Sequence, residues 1–142
     1  MRIDLLRHGT TGRDGHLDGR TDPPLSETGW EQFRRQTQSR IWRSGVSSPL
    51  ARARAGAEEY ARQTGCALDI DTDWSELDFG IWDGRTHRDI AAEPGGEALL
   101  ETFMPTPQSG HRVVRAGRIC RREWRAQHVA FLCGPSLRRF SW

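Results

Sequence analysis

The nine residues MRIDLLRHG (residues 1–9) open the chain and indicate its fold class. The apolar run Met1–Leu6 predicts a buried β-strand, and the polar residues after it predict a loop at the carboxyl end of that strand. Ligands of open α/β sheets bind at this end of the strands. At this end His8 can present a ring nitrogen to a ligand, and Arg7 can bind a phosphate with its forked, charged guanidinium. Gly9, which has no side chain, allows a ligand to approach the backbone closely. A single strand-end histidine is equally compatible with a structural role, so its function depends on the segments that follow.

Alternating helix and strand signals come after this strand. They are, in order, a loop over 9–24, an amphipathic helix over 30–40 with Ser26 as N-cap, a strand end over 46–48, a helix over 49–64 with Ser48 as N-cap and Gly65 as its end, a strand over 67–70, an irregular segment over 74–82, and short helices over 85–92 and 97–103. Such alternation predicts an α/β domain of three layers, with a mostly parallel sheet flanked by helices.

Composition excludes several classes of protein. With 142 residues, 35% hydrophobic and 28% charged, the chain is expected to form one soluble globular domain. No apolar run is long enough to span a bilayer, and the first residues are too short and polar for a signal peptide. Cys66, Cys120 and Cys133 have unrelated spacings that match neither a disulfide framework nor a zinc site. We therefore expect a cytoplasmic protein that contacts no membrane and holds no metal.

Three further segments add groups suited to phosphate chemistry. Asp22–Gly29 (DPPLSETG) predicts a turn followed by a capped helix, and Ser47–Arg52 (SSPLAR) places Arg52 in the first turn of a helix after a strand. The backbone N–H groups of that helix start and the guanidinium of Arg52 would form an anion site. Glu76 begins the segment ELDFGIWDG, where neighbouring aromatic residues can raise the pKa of a carboxyl group for general-acid catalysis.

Taken together, RHG, DPPLS with Gly29, SSPLAR and ELDFGIWDG resemble the histidine phosphatase superfamily, whose fold is that of phosphoglycerate mutases, over residues 2–103. The segments RIDLLRHG, GRTDPPLSETGW and ELDFGIWDGR look most like α-ribazole phosphatases of cobalamin biosynthesis. The resemblance implies hydrolysis of a small phosphorylated metabolite without a cofactor. His8 would attack phosphorus and carry the phosphoryl group, Arg7 and Arg52 would bind its oxygens, and Glu76 would protonate the leaving oxygen.

Some positions depart from the family pattern. Asp78 is an alternative to Glu76 as the acid, Thr10 stands where many relatives have Glu, and Asp14 stands where many have Asn. The family also has a second histidine, followed by glycine, at the end of a late strand. Only His111 and His128 are candidates for this histidine, and neither is followed by glycine.

The last quarter of the chain differs in charge from the rest. Residues 1–103 carry 13 Arg against 18 acidic residues, a net −5, whereas residues 104–142 carry 8 Arg against Glu123 alone, a net +7. Apolar residues after Phe103 follow neither helical nor strand spacing. A solvated basic tail would explain the charge. Binding to nucleic acid is disfavoured, because no known binding module with interleaved aromatic residues is present.

We interpret residues 1–103 as the amino-terminal part of a histidine phosphatase domain and residues 104–142 as an atypical Arg-rich tail. The codons of Met104–Cys120, translated in a shifted frame, permit a sequence that resembles the family's usual continuation. Our hypothesis is therefore an out-of-frame tail, and the alternative is a divergent native C-terminus. We expect the fold to be incomplete at its carboxyl end. The alternative to an active phosphatase is then an impaired phosphate-binding protein or a non-functional product.

Overall fold

The computed structural model describes residues 3–103 and 128–132. The strands and helices are β1 (Ile3–Arg7), α1 (Glu27–Thr37), β2 (Ser44–Ser47), α2 (Ala51–Thr64), β3 (Ala67–Ile70), α3 (His87–Ala91), α4 (Gly96–Phe103) and β4 (His128–Leu132). Two short 3-10 turns, Thr72–Trp74 and Gly80–Trp82, lie in the segment between β3 and α3. Among the described residues, no helix is both long and apolar enough to cross a bilayer.

The four described strands form one parallel sheet in the order β1-β4-β2-β3. Arg7 lies opposite Leu132 in the β1–β4 pair, and Ser47 lies opposite Phe131 in the β2–β4 pair. The carboxyl ends of these three strands therefore meet at one edge of the sheet. This edge receives the residues that follow β1 and β2 in the chain. The α/β class and the parallel sheet predicted from the sequence are confirmed.

Strand β4 lies in the part of the sequence where apolar residues follow no regular spacing. Its five residues, HVAFL, pair with both β1 and β2, so these two strands do not lack a partner. A run this short, between arginine-rich segments, has no periodicity by which a strand could be recognised. The interpretation of residues 104–142 as a tail and the expected incompleteness of the fold stay predictions, because 104–127 and 133–142 lie outside the described residues.

Helix α1 packs on α2 through an aromatic core. Phe33, Trp42, Ala57 and Tyr60 are buried together with the thiol of Cys66. Burying side chains of this size stabilises the fold by about 1.5–3 kcal/mol each, before the entropy cost of ordering them. A second buried cluster is formed by Leu17, Phe79, Trp82 and Ile90. It joins the loop after β1 to the segment before α3 and to α3 itself.

The helix ends test the predicted caps. Ser26 is confirmed as the N-cap of α1, because its Oγ accepts the N–H of Gly29 at 3.1 Å. Gly65 is confirmed as the end of α2, with a positive φ of 75°. Ser48 is wrong as the N-cap of α2. The helix begins two residues later than predicted, its N-cap is Leu50, and Ser48 Oγ accepts only the N–H of Leu50 at 3.3 Å.

Candidate active site

His8 directly follows β1 and stands at the carboxyl edge of the sheet. Its Nδ1 lies 2.7 Å from the carbonyl oxygen of Gly9. Because a carbonyl oxygen only accepts, the proton belongs on Nδ1, and the lone pair is left on Nε2. Burial lowers the pKa of His8, and the charges of Arg52 and Arg7 lower it further. The ring is therefore kept as a neutral base with one nucleophilic nitrogen.

The loop after His8 is packed directly against the start of α1. A Cβ atom on Gly9 would overlap the carbonyl of Gly29, and one on Gly29 would overlap the carbonyl of Thr10. The N–H and the hydroxyl of Ser26 both donate to the same Thr10 carbonyl, at 3.0 and 2.9 Å. The segment DPPLSETG therefore fixes the backbone beside the histidine, and its glycine is required by this close approach.

Arg52 is buried in the first turn of α2, with only 3% of its surface exposed. Its Nη1 donates to the carbonyl of Thr21 at 2.9 Å, and its Nη2 donates to the carbonyl of Asp18 at 2.6 Å. These bonds to the loop over 18–22 hold the plane of the guanidinium. Helix α2 places the arginine, and the loop orients it.

The start of α2 differs from the anion site predicted from the sequence. The carboxylate of Asp22 accepts the N–H of Ala51 at 2.6 Å and the N–H of Arg52 at 3.4 Å. Leu50 has no side-chain acceptor, so this loop carboxylate satisfies the exposed N–H groups in its place. A substrate anion at this edge would therefore depend on guanidinium groups and not on these two N–H groups.

Glu76 is a buried carboxyl group, 6% exposed, in the segment between β3 and α3. Its Oε1 accepts the N–H of Leu77 at 3.0 Å, whereas its Oε2 is buried and has no hydrogen-bond partner among the described residues. Burial raises the pKa of Glu76, and the charges of Arg52 and Arg7 oppose this rise only in part. An unsatisfied buried oxygen is costly as an anion, so the site favours the protonated acid.

Asp78, the alternative acid, has different surroundings. Its Oδ1 accepts the N–H of Gly80 at 2.9 Å, and its Oδ2 lies 3.6 Å from Nε of Arg20. Its side chain is 36% exposed. The surroundings favour Glu76 over Asp78 as a proton donor.

The four predicted site residues share one electrostatic environment. Arg7, the exposed last residue of β1, and Arg52, at the start of α2, both act on the pKa values of His8 and Glu76. Electrostatic effects of this kind fall off quickly with distance. Arg7 and Arg52 therefore lie close enough to His8 and to Glu76 to lower the pKa of both groups.

The other histidines of the described residues lie elsewhere. His128 begins β4 opposite Ile3, at the amino end of the strand and the far edge of the sheet from His8. His16 bridges to Thr86, and His87 is exposed at the start of α3. His111 lies outside the described residues. In the sequence, β4 is followed by Cys133 and Gly134 and not by a histidine.

Two positions that depart from the family pattern lie in the loop after His8. The N–H of Thr10 donates to Oε1 of Gln32 at 2.9 Å, and the hydroxyl of Thr10 accepts the N–H of Gly12 at 3.0 Å. Asp14 is exposed. In residues 3–103 and 128–132, no group of three or more His, Cys, Asp or Glu side chains could hold a metal ion.

Sequence reasoning missed two carboxylates that organise the site. Asp22 bonds the start of α2, and Asp83 accepts the N–H groups of Arg20 and Thr21, each at 2.6 Å. Aspartates in turns often accept hydrogen bonds from backbone N–H groups, and this tendency was the only sequence signal for such a role. The residues that they contact are 30 and more than 60 positions away in the sequence, so the pattern did not identify their partners.

Comparisons with known proteins agree with this geometry. The model of the histidine phosphatase superfamily (branch 1) matches residues 3–126 and so extends past Phe103. Over 132 residues the chain is 37% identical to the bifunctional protein Rv2228c of Mycobacterium tuberculosis, covering 82% of this chain and 36% of that protein. Over 103 residues it is 34% identical to glucosyl-3-phosphoglycerate phosphatase of the same organism, covering 69% of this chain and 46% of that protein. The chain thus spans less than half of the length of these curated relatives.

Other relatives include a probable phosphoglycerate mutase and solved structures. GpmB of Escherichia fergusonii is 31% identical over 124 residues, which cover 71% of this chain and 57% of that protein. The crystal structure of TTHB049 from Thermus thermophilus has a TM-score of 0.74 and 29% identity, covering 97% of this chain and 81% of that chain. The native mycobacterial glucosyl-3-phosphoglycerate phosphatase Rv2419c has a TM-score of 0.73 and 27% identity, covering 92% of this chain and 72% of that chain. Both solved structures share the fold of this chain.

Proposed function

Because the chain belongs to the histidine phosphatase superfamily (branch 1), we propose that it hydrolyses a phosphate monoester of a small molecule through a phosphohistidine on His8. One observation carries this proposal: the imidazole of His8 and the buried carboxyl group of Glu76, whose Oε2 has no hydrogen-bond partner among the described residues, both feel the charges of Arg7 and Arg52. A nucleophile and an acid must have opposite protonation preferences to work together near one pH. Burial shifts the pKa of His8 down and that of Glu76 up, as such a pair requires.

The first half of the reaction transfers the phosphoryl group to the protein. Nε2 of His8 attacks phosphorus, and the new N–P bond forms as the bond from phosphorus to the leaving oxygen breaks. Oε2 of Glu76 gives its proton to that leaving oxygen, and the alcohol departs. The guanidinium groups of Arg7 and Arg52 stabilise the negative charge on the phosphoryl oxygens.

The second half returns the site to its starting state. The Glu76 carboxylate takes a proton from a water molecule as the water oxygen attacks phosphorus. The N–P bond breaks, His8 regains its Nε2 lone pair, and inorganic phosphate leaves. Glu76 is protonated again. Acid and base roles thus alternate on one side chain, and no redox partner is needed.

The substrate belongs to the class of phosphorylated small metabolites. Relatives of the chain are named for glucosyl-3-phosphoglycerate and phosphoglycerate, and the motifs of residues 2–9, 19–30 and 76–85 resemble α-ribazole phosphatases. These three phosphates form the first panel of compounds for an assay with release of inorganic phosphate. A mutase reaction would be recognised as transfer between two positions of phosphoglycerate without release of phosphate.

Trapping the intermediate tests the proposal. During turnover of a labelled phosphate monoester, rapid denaturation should leave base-stable, acid-labile phosphate on the peptide that contains His8. His8→Ala should abolish both labelling and turnover, because loss of a nucleophile removes the covalent route. His87→Ala is the matched control, since His87 is exposed on α3. A His8→Ala protein with an unchanged rate would overturn the mechanism.

A second candidate function is phosphate binding with little turnover. It is favoured by the position of His128 at the amino end of β4, which leaves no second histidine beside His8 among the described residues. Such a protein would bind inorganic phosphate through Arg7 and Arg52 and form phosphohistidine slowly. Measured phosphate binding without multiple turnover would favour this candidate, and rapid multiple turnover would exclude it.

A further inference from the structure

The loop over 18–21 lies between a carboxylate and the guanidinium of Arg52. On one side, the N–H groups of Arg20 and Thr21 donate to Oδ2 and Oδ1 of Asp83, both at 2.6 Å. The N–H of Gly19 and the hydroxyl of Thr21 also contribute to the lowered pKa of this carboxyl group. Two backbone N–H groups from one short loop therefore converge on a single side chain.

On the other side, carbonyl groups of the same loop face Arg52. Nη2 of Arg52 donates to the carbonyl of Asp18 at 2.6 Å and lies 3.5 Å from that of Gly19, and Nη1 donates to the carbonyl of Thr21 at 2.9 Å. Peptide group 19–20 is thus bonded at both ends, because the N–H of Arg20 donates to Asp83 and the C=O of Gly19 accepts from Arg52 at 3.5 Å. In the same loop the N–H of Thr21 bonds Asp83, and the C=O groups of Asp18 and Thr21 bond Arg52.

This arrangement couples the two charges through the backbone. The dipole of peptide group 19–20 points its positive end at the carboxylate and its negative end at the guanidinium, so hydrogen bonds at the two ends strengthen each other. Burial alone would raise the pKa of Asp83, but the bonds from Thr21, Arg20 and Gly19 together lower it, so the carboxylate is ionised. A shift of the loop on one side must change the bonds on the other.

The packing of the loop leaves little room for such a shift. A Cβ atom on Gly19 would overlap the carbonyl of Leu77, Oδ2 of Asp83 and the ring of Phe79. The loop is therefore pressed against the segment that begins with Glu76. Arg13 adds a further bond, because its Nη2 donates to the carbonyl of Gly84 at 3.1 Å while its guanidinium also bonds Asp18.

We infer that Asp83 is a positioning residue for phosphate binding, which orients Arg52 through the backbone of the loop over 18–21. This inference rests on the proposed function, in which Arg52 binds the phosphoryl group. Asp83 does not contact the substrate in this arrangement. Asp22 also contacts the guanidinium, but at 3.4 Å, and its short bond is to the backbone of Ala51. The guanidinium bonds at 2.6 and 2.9 Å, to the carbonyls of Asp18 and Thr21, both end on the loop that Asp83 holds.

A double-mutant cycle on the full chain tests the inference, with inorganic phosphate as the probe and calorimetry as the measurement. Asp83→Asn replaces one acceptor oxygen by an amide that faces an N–H donor. We expect it to weaken phosphate binding about tenfold, the size of coupling within one hydrogen-bond network. In an Arg52→Gln background the same change should have no further effect. Asp89→Asn, the same substitution on exposed α3, is the control and should leave binding unchanged.

The outcomes separate this inference from the proposed function. If Arg52→Gln binds phosphate as well as the wild type does, the proposed role of Arg52 fails, and the inference fails with it. If Arg52→Gln binds weakly but Asp83→Asn has no effect, or an equal effect in both backgrounds, only the inference is overturned. Thermal unfolding shows whether each variant folds. If Asp83→Asn does not fold, Asp83→Glu replaces it, and if Arg52→Gln does not fold, Arg52→Lys replaces it. These two substitutions keep the charge of the side chain. The phosphate affinities of the single and double variants are then compared in the same way.

Discussion

The carboxylate of Asp22 meets Arg52 twice, at its backbone N–H and at Nη1 of its guanidinium, each time at 3.4 Å. The same carboxylate accepts the N–H of Ala51 at 2.6 Å. One loop residue therefore caps the helix and contacts the cation that this helix carries. The position of Arg52 depends on the loop as much as on α2.

Removing this cap should affect both stability and phosphate binding. We expect Asp22→Ala to lower the free energy of unfolding by about 1 kcal/mol, as for other lost N-caps, and to weaken binding of inorganic phosphate. Thr86→Ala, which removes the acceptor for the N–H of Asp89 at the start of α3, is the matched control. It should lower stability by a similar amount with no change in phosphate affinity. Equal affinities for the two variants would contradict a role of Asp22 at the site.

The leaving group should determine how strongly Glu76→Gln impairs turnover. An alkyl phosphate needs a proton on its leaving oxygen, so loss of the acid should reduce the rate by about 10²–10⁴-fold. For p-nitrophenyl phosphate the loss should be much smaller, because nitrophenolate leaves without a proton. Steady-state rates on both compounds measure this difference. Asp78→Asn should not show it, and an equal loss on both compounds would argue against Glu76 as the acid.

The pH dependence of turnover should have two limbs. His8 must be neutral to attack, and its pKa lies below the ordinary 6.5, so the rate should fall only in acid below that value. Glu76 must be protonated, and its pKa lies above the ordinary 4.5, so the rate should fall as the pH rises through this raised value. A profile of kcat/KM against pH checks both limbs. In Glu76→Gln the alkaline limb should disappear, and its persistence would assign that limb to another group.

Glu76→Gln should also stabilise the protein at neutral pH. The folded-state pKa of Glu76 is raised, so the folded state holds a proton that the unfolded state has already released, and stability falls as the pH rises from 4.5 through the raised value. A neutral amide avoids this cost. We expect a gain of about 0.5–2 kcal/mol at pH 7, the usual size when a functional residue is replaced. Thermal unfolding at pH 7 and pH 4 measures it, and the gain should vanish at pH 4.

Gly29→Ala should disrupt the loop beside His8. Alanine is about 1 kcal/mol better than glycine within a helix, but a Cβ atom here would overlap the carbonyl of Thr10, and the overlap dominates. We expect loss of stability together with turnover. Gly65→Ala is the control, because φ is positive there but nothing lies within 4 Å of the added atom. It should cost about 1 kcal/mol with turnover unchanged, and equal effects on turnover would refute the packing argument.

The sequence alone determined the α/β class, the positions of β3 and of the α1 cap, and the placement of His8 at the end of β1. These features depend on near neighbours in the chain: apolar runs, cap residues and glycines act over three or four residues, so a linear pattern contains them. The four site residues were also named from motifs. The sequence also indicated a raised pKa for Glu76 from its aromatic neighbours. The burial of the site residues and the lowered pKa of His8 were open, because the groups that desolvate a side chain are often distant in sequence.

Tertiary structure decided where distant segments meet. It placed β4, a five-residue run without periodicity, between β1 and β2. It gave the cap of α2 to Asp22 instead of the neighbouring Ser48, and it placed Asp83 and Arg52 on opposite sides of the loop over 18–21. Strand pairing and capping between segments depend on which backbone groups remain without partners after the chain has folded. That condition belongs to the packed molecule, and no local pattern of residues specifies it.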